Sequence, residues 1–150
     1  MAGEATLKVV LREVEESDIV AFYEHQLDPQ AAAMGAYEPR GLEELTARWH
    51  RMVVNPTITA RAITVDNQTV GHVVSWIEDD GHRELGYLVA SAFWGRGIAT
   101  AAVRDMLKIV TDRPIEAWIA PTNAASIRVV ERNGFSFVRE DGEYQIFRLV

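Results

Sequence analysis

The chain has 150 residues, 48% of them hydrophobic and 25% charged, which is the balance of one ordinary folded domain and not of a disordered chain. It has no cysteine, which excludes disulfide scaffolds, cysteine nucleophiles and thiolate zinc sites and fits a reducing, cytoplasmic compartment. Its net charge of −7 argues against nucleic acid as the main partner, and no apolar run approaches the length of a membrane span. The opening MAGEATLKVV lacks the basic start and apolar block of a secretory signal.

In chain order, Thr6–Val14 alternates as a first strand, and Ser17 is placed to cap a helix carrying Ile19, Phe22, Tyr23 and Leu27 at helical spacing. Asp28–Gly41 holds Pro29 and Pro39 and is expected to be a loop or a broken helix. Leu42–Val54 follows as a helix, stopped by Asn55-Pro56. Thr57–Val65 and Thr69–Glu78 flank Asp66-Asn67 as a hairpin, and Asp79-Asp80-Gly81 turns into the strand His82–Val89. A helix from about Gly97 to Thr111 presents Ile98, Ala102, Val103, Met106, Leu107 and Val110 to the core. The strand Ile115–Ala120, the helix Asn123–Arg132 with its Asn133-Gly134 stop, and a hairpin of Phe135–Glu140 and Tyr144–Val150 around Asp141-Gly142 complete the chain. The order β-α-α-β-β-β-α-β-α-β-β predicts an α/β (mixed α+β) fold, with a mostly antiparallel sheet and about four helices.

The chemistry concentrates in Gly86–Thr100, where a strand runs through a short glycine-bearing loop into an amphipathic helix. Glycines there let backbone N–H groups approach a ligand, and the free donors of a first helical turn favour an anion. The loop has neither the Gly-Lys-Ser/Thr of a Walker loop nor the third glycine of a Rossmann turn, Thr100 standing in that place. A site for one phosphate or pyrophosphate remains, alongside the simpler reading of an ordinary strand-to-helix turn.

These residues resemble the GNAT superfamily of acyl-CoA-dependent N-acetyltransferases. The resemblance rests on Gly86-Tyr87, the run Phe93-Trp94-Gly95-Arg96-Gly97-Ile98-Ala99-Thr100, and later Asn123, Ser126, Glu131 and Gly134-Phe135. The nearest branch is the RimJ/RimL type, whose members acetylate protein N-termini. The family turn, Gln/Arg-x-x-Gly-x-Gly/Ala, falls on Trp94 to Ala99, with Trp in the first place. The resemblance implies acetyl-CoA as acyl donor, its pyrophosphate held by amides from Gly95 through Thr100, and Arg96 over the phosphates or in solvent. It implies that Leu88 and Val89 pair their main chain with pantetheine, one amide polarising the acetyl carbonyl. Asn123 then bonds pantetheine and Ser126 faces the sulfur, although Asn123 is equally an ordinary helix cap. Many relatives carry a tyrosine acid seven residues after the Asn. Here Val130 stands there, which leaves Ser126 as the replacement.

The reaction also sets the demand on a base. An amine attacks only when neutral, which near neutral pH costs about 4 kcal/mol for a lysine and about 1 for an N-terminus. Glu84, in Glu84-Leu85-Gly86-Tyr87, is the leading candidate, and strand alternation puts it on one face with His82 and Gly86. Its alternative is a solvated strand carboxylate. His72 and Glu78 stand behind it, while His25 and His50 are read as packing or surface residues. The histidines show no ligand spacing, so no metal is expected. Trp49, Trp76, Trp94 and Trp118 are expected as core anchors. By family analogy the Met34–Arg40 loop, with Tyr37 and Glu38, lines the pocket of an amine acceptor. The final hairpin and Ile146-Phe147 suggest an edge for a homodimer. A non-catalytic acyl-CoA-binding domain is the competing function, and a generic nucleotide-binding domain is disfavoured by the missing phosphate motifs.

Overall fold

The computed structural model describes residues 7–35 and 37–150; Thr6, where the first strand is expected to begin, lies outside them. The elements are β1 (Val9–Arg12), α1 (Glu16–Gln26), α2 (Pro29–Gly35), α3 (Leu42–Val54), β2 (Thr59–Val65), β3 (Gln68–Ile77), β4 (Arg83–Val89), α4 (Ile98–Ile109), β5 (Ile115–Ile119), α5 (Ala124–Arg132), β6 (Ser136–Asp141) and β7 (Tyr144–Leu149). Seven strands form one sheet in the order β1-β2-β3-β4-β5-β7-β6. Every neighbouring pair is antiparallel except β4 with β5.

Alternation along the central strands supplies a core to each face of the sheet. Val73 joins Ile98, Val103 and Met106 of α4 in one apolar cluster, while its neighbour Val74 joins Phe22 of α1 and Leu45 and Trp49 of α3 in the other. Asp66 and Asn67 both take positive φ, 50° and 63°, as the two-residue hairpin requires.

Four local expectations are corrected. First, α1 starts at Glu16 behind Glu15, not behind Ser17. Asp18 governs this start: its carboxylate accepts from the Glu15 N–H at 2.7 Å, from Arg12 at 2.5 and 2.8 Å and from Thr69 Oγ1 at 2.5 Å. Second, the segment expected as a loop or a broken helix opens with a helix, α2, which makes five where about four are expected. The Asp28 carboxylate accepts from the Gln30 N–H at 2.9 Å, and Pro29 fills the first helical position, where a missing N–H costs nothing. Third, the last hairpin turns at Gly142-Glu143, because Asp141 already pairs with Tyr144. Fourth, Ile146 and Phe147 are buried, because β7 lies inside the sheet; the edge at that end is β6, exposed along its whole length.

Asp18 pins β1, α1 and β3 together. Burial pushes its pKa up, but the bonds from Arg12, Thr69 and the Glu15 amide outweigh this and hold it below the ordinary value. Such a group contributes stability above the unfolded pKa, near 4, and loses it as pH falls through the folded value. Asp18→Ala is expected to cost about 2–3 kcal/mol, since it removes the carboxylate shared by Arg12, Thr69 and the Glu15 amide and leaves the partly exposed Arg12 guanidinium only Glu15, at 3.8 Å. Urea unfolding at pH 7 measures this, and a loss under 1 kcal/mol would mean that the pair is not a pin.

Candidate active site

Strands β4 and β5 run side by side only at Arg83–Ile115 and Glu84–Glu116. Beyond those pairs they diverge around a cavity of about 550 Å³, walled by Leu85 to Val89, by Ala117 to Ala120 and by the starts of α4 and α5. The β4 residues facing the gap follow from the ladder. Ala90 N–H donates to the Val70 carbonyl at 2.8 Å, and β3–β4 pairing continues without a bulge through Gly71–Val89 and His72–Leu88. In an antiparallel ladder this alternation turns the Leu88 amide toward β3, and the main chains of Leu85, Tyr87 and Val89 toward the gap. The Trp94 indole N–H already donates to the Val89 carbonyl at 2.7 Å. Of the two residues expected to pair with pantetheine, Val89 therefore faces the cavity with its main chain and Leu88 does not.

Gly95 and Gly97 have φ of 76° and 77°, the left-handed region that favours glycine, and a Cβ at either would meet nothing within 4 Å. Gly97 precedes α4 with no side-chain cap, so the first-turn amides lack a side-chain partner. Gly95, Gly97, Ile98, Ala99 and Thr100 all lie in the cavity wall. Arg96 does not; it is exposed, with its guanidinium carbon 5.5 Å from the centre of the Phe93 ring. Two cations that sequence reasoning missed, Arg128 and Arg132 on α5, are in the wall instead. Their only signal was a four-residue spacing on the helix that Asn123 begins.

Asn123 caps α5, its Oδ1 accepting from the Ser126 N–H at 3.2 Å. The Ser126 Oγ lies 2.5 Å from the Tyr87 hydroxyl, which also reaches the Ser126 carbonyl oxygen at 3.1 Å. Burial pushes the Tyr87 phenol up to about 12, against the opposing pull of Ser126. Tyr87 and Ser126 thus form a protonated hydroxyl pair inside the cavity. The pairing was hidden in the sequence, where the two stand 39 residues apart.

A second cavity, of about 800 Å³, shares Tyr37, Gly86, Tyr87 and Leu88 with the first, so the two meet across β4. Gly86 makes room for Trp76, whose ring edge would stand 3.1 Å from a Cβ there. Tyr37, Glu38 and Arg40 line this second cavity and Met34 the first. The loop is fastened to α1 through Gln26: the Tyr37 hydroxyl donates to the Gln26 carbonyl at 3.1 Å, and the Arg40 N–H donates to Gln26 Oε1 at 3.0 Å.

Glu84 is 8% exposed and belongs to the wall of neither cavity, whereas Glu78 lines the second. Burial raises the Glu84 pKa from 4.5 to about 7; its bond with His82 opposes the rise, and Glu78 adds to it. His82 Nε2 lies 2.8 Å from Glu84 Oε2 and 3.7 Å from Glu116 Oε1. Glu116 in turn accepts from Arg148 at 2.6 and 2.9 Å. Burial and the neighbouring His25 push His72 down to about 3, so it is a neutral imidazole among Phe22 and Trp49 and a poor proton acceptor. His50 is exposed, 2.8 Å from Glu16, and the Nδ1 of His25 is buried. Among the four tryptophans only Trp49 is buried in the core; Trp76 lines the second cavity, and Trp94 and Trp118 line the first.

Among the described residues no group of three or more His, Cys, Asp or Glu side chains could hold a metal ion, and no helix is long and apolar enough to cross a membrane. Residues 8–136 match the family model described as "Acetyltransferase (GNAT) domain". The chain belongs to this family of acetyltransferases. No curated protein matches it. Among solved structures it is similar to a domain from Methanocaldococcus jannaschii DSM 2661, at 21% identity and a TM-score of 0.80 over 95% of this chain and 98% of that one. It is also similar to the aminoglycoside acetyltransferase AAC(6')-Ib in complex with coenzyme A, at 20% identity and a TM-score of 0.76 over 93% and 94% of the two chains. A third is the spermidine N-acetyltransferase of Vibrio cholerae in complex with CoA and spermine, at 16% identity and a TM-score of 0.78 over 93% and 92%. These likenesses show the GNAT-like mixed α/β fold.

Proposed function

We propose that the protein is an acetyl-CoA-dependent N-acetyltransferase acting on a primary amine. The observation that carries this reading is the meeting of two cavities across the middle of β4, one walled by the start of α4, which has no side-chain cap, and one lined by titratable side chains. Family membership supports it, as do the structural relatives named for complexes with CoA, one of them also with spermine. Gly95 through Thr100 hold the pyrophosphate, Asn123 and the Val89 main chain hold pantetheine, and the acyl carbonyl sits against a free β4 amide. The amine nitrogen enters from the second cavity and attacks the thioester carbon. A C–N bond forms and the C–S bond breaks. The amine proton leaves through water to Glu84, with Glu78 between it and the cavity, and the thiolate takes a proton from the Tyr87–Ser126 pair. The run Glu84-Leu85-Gly86-Tyr87 and Trp94 in the turn support a place in the RimJ/RimL-type branch.

Release of free CoA thiol, followed across a panel of amines, tests the activity. Acetyl-CoA binding without any amine-dependent release would make the protein an acyl-CoA-binding domain. Within this mechanism Ser126→Ala is expected to lower kcat less than Asn123→Ala. A thiol with a pKa of about 8.5 leaves readily and needs little acid help, while Asn123 both caps α5 and holds the donor. Steady-state kinetics of the two variants decide it. A loss above a hundredfold for Ser126→Ala alone would show that thiolate protonation limits the rate.

A further inference from the structure

The acceptor side of the site carries a charge pattern that its proposed activity does not by itself require. The protein is acidic overall, yet the second cavity gathers Arg40, Arg48 and Arg51 in its wall. Arg48 and Arg51 stand one turn apart on α3, and Arg40 comes from the loop fastened by Gln26. Among the described residues the one carboxylate within ion-pair distance of the three is Glu44, 3.6 Å from Arg40. Arg48 and Arg51 have no such partner. Arg48 and Arg51 are exposed at the cavity rim, and partial desolvation together with the repulsion of Arg40 and Arg51 holds Arg48 below its ordinary pKa, against the opposing pull of Glu44. The remaining charges in this wall are Glu38 and Glu78. Glu78, close to Glu84, gives the cavity an amine-facing end, and α3 gives it an anion-facing end. A volume of about 800 Å³ is in the range of small-molecule sites.

We infer that the acceptor is a small primary amine that also bears a carboxylate or phosphate, its anionic group held by Arg48 with Arg40 and Arg51 while its amine faces β4. Guanidinium forks match both anions in geometry, and a polyamine would place like charges against them. The inference rests on the acetyltransferase reading and narrows its substrate.

The experiment uses matched amines of similar length: 4-aminobutyrate, phosphoethanolamine, the uncharged-tail amine butylamine and the diamine 1,4-diaminobutane. CoA release and calorimetric binding are measured for each. The expected result is kcat/KM at least tenfold higher for one of the two anionic amines than for butylamine or the diamine, with the faster anionic arm identifying carboxylate or phosphate. Arg48→Ala should raise KM for that amine about tenfold with kcat little changed, and should leave butylamine unaffected. Raising salt from 50 to 500 mM should imitate the substitution. Equal or better turnover of butylamine or the diamine would overturn the inference, as would an Arg48→Ala effect that is the same for both amine classes. If none of the four is acetylated while another amine of the wider panel is, the inference is overturned and the acetyltransferase reading stands; if no amine of either set is acetylated, that reading fails. Calorimetry then still decides the subsite: Arg48-dependent binding of an anionic amine sustains it, and its absence overturns it.

Discussion

Gly97→Glu is expected to weaken acetyl-CoA binding by at least a hundredfold in a protein that still folds. Gly97 has φ of 77°, and a Cβ there would meet nothing within 4 Å, so the substitution brings backbone strain without a clash where the side chain branches off. The strain of a non-glycine residue in the left-handed region is roughly 1–2 kcal/mol, small beside the 5–15 kcal/mol of an ordinary domain. The new carboxylate, however, stands beside the first-turn amides of α4, the donors that would meet the pyrophosphate. Gly97→Ala is the control, since it carries the same backbone strain and no charge. It should lose some stability and keep its affinity within a few fold. Calorimetry with acetyl-CoA and thermal melts of both variants separate the two effects. A folded Gly97→Glu protein with unchanged affinity would remove the phosphate cradle from β4–α4.

The parts of the molecule legible in the sequence are those decided by neighbours along the chain. Asp66-Asn67 fixes a hairpin because two consecutive positive φ values suit few residue pairs. Gly95 and Gly97 mark the passage from β4 into α4 for the same reason, and Asn123 marks the start of α5. What escaped depends on partners remote in sequence. Asp18 outranks Ser17 at the start of α1 because Thr69, 51 residues away, shares its carboxylate. Pro29 looks like a breaker until Asp28 is seen capping the turn behind it, with Ser91 donating to the same side chain from beyond β4. Ile146 and Phe147 alternate like an edge, but strand order, which no local pattern encodes, seats β7 between β5 and β6.

The candidate site divides along the same line. Alternation alone brings His82 and Glu84 to one face, and they touch at 2.8 Å. Glu116 arrives from β5 and Arg148 from β7, turning a strand carboxylate into a member of a charged network. The arginines of α3 gave no signal at all, because solvated charges on an amphipathic helix are the ordinary case. Only the cavity beside them distinguishes Arg48 and Arg51 from decoration.

Glu84→Gln is expected to lower kcat/KM on the order of 10²-fold near neutral pH, the lower end of general-base effects, with acetyl-CoA affinity unchanged. Glu84 lies outside the wall of the donor cavity, which is why binding is spared. Burial places its pKa at about 7, close to the pH at which a base is most effective. The wild-type rate should therefore rise through about pH 7 as Glu84 loses its proton. The variant should show only the limb set by the amine itself. By about pH 9 an α-amino acceptor is mostly neutral and should recover nearly the wild-type rate, whereas a lysine-like amine should not. Stability gives an independent reading with a definite sign. A carboxyl whose folded pKa is raised to about 7 from 4.5 stabilises the fold fully below pH 4.5, and that contribution is lost as pH rises through 7. Gln cannot ionise, so Glu84→Gln should melt roughly 6–12 °C above wild type at pH 8, because a pKa raised from 4.5 to about 7 is worth about 3 kcal/mol, and much closer to wild type at pH 5. A variant with the pH-8 stabilisation but a wild-type rate at pH 7 would make Glu84 a structural partner of His82 and Glu116. The proton would then pass to Glu78, the carboxylate that lines the acceptor cavity.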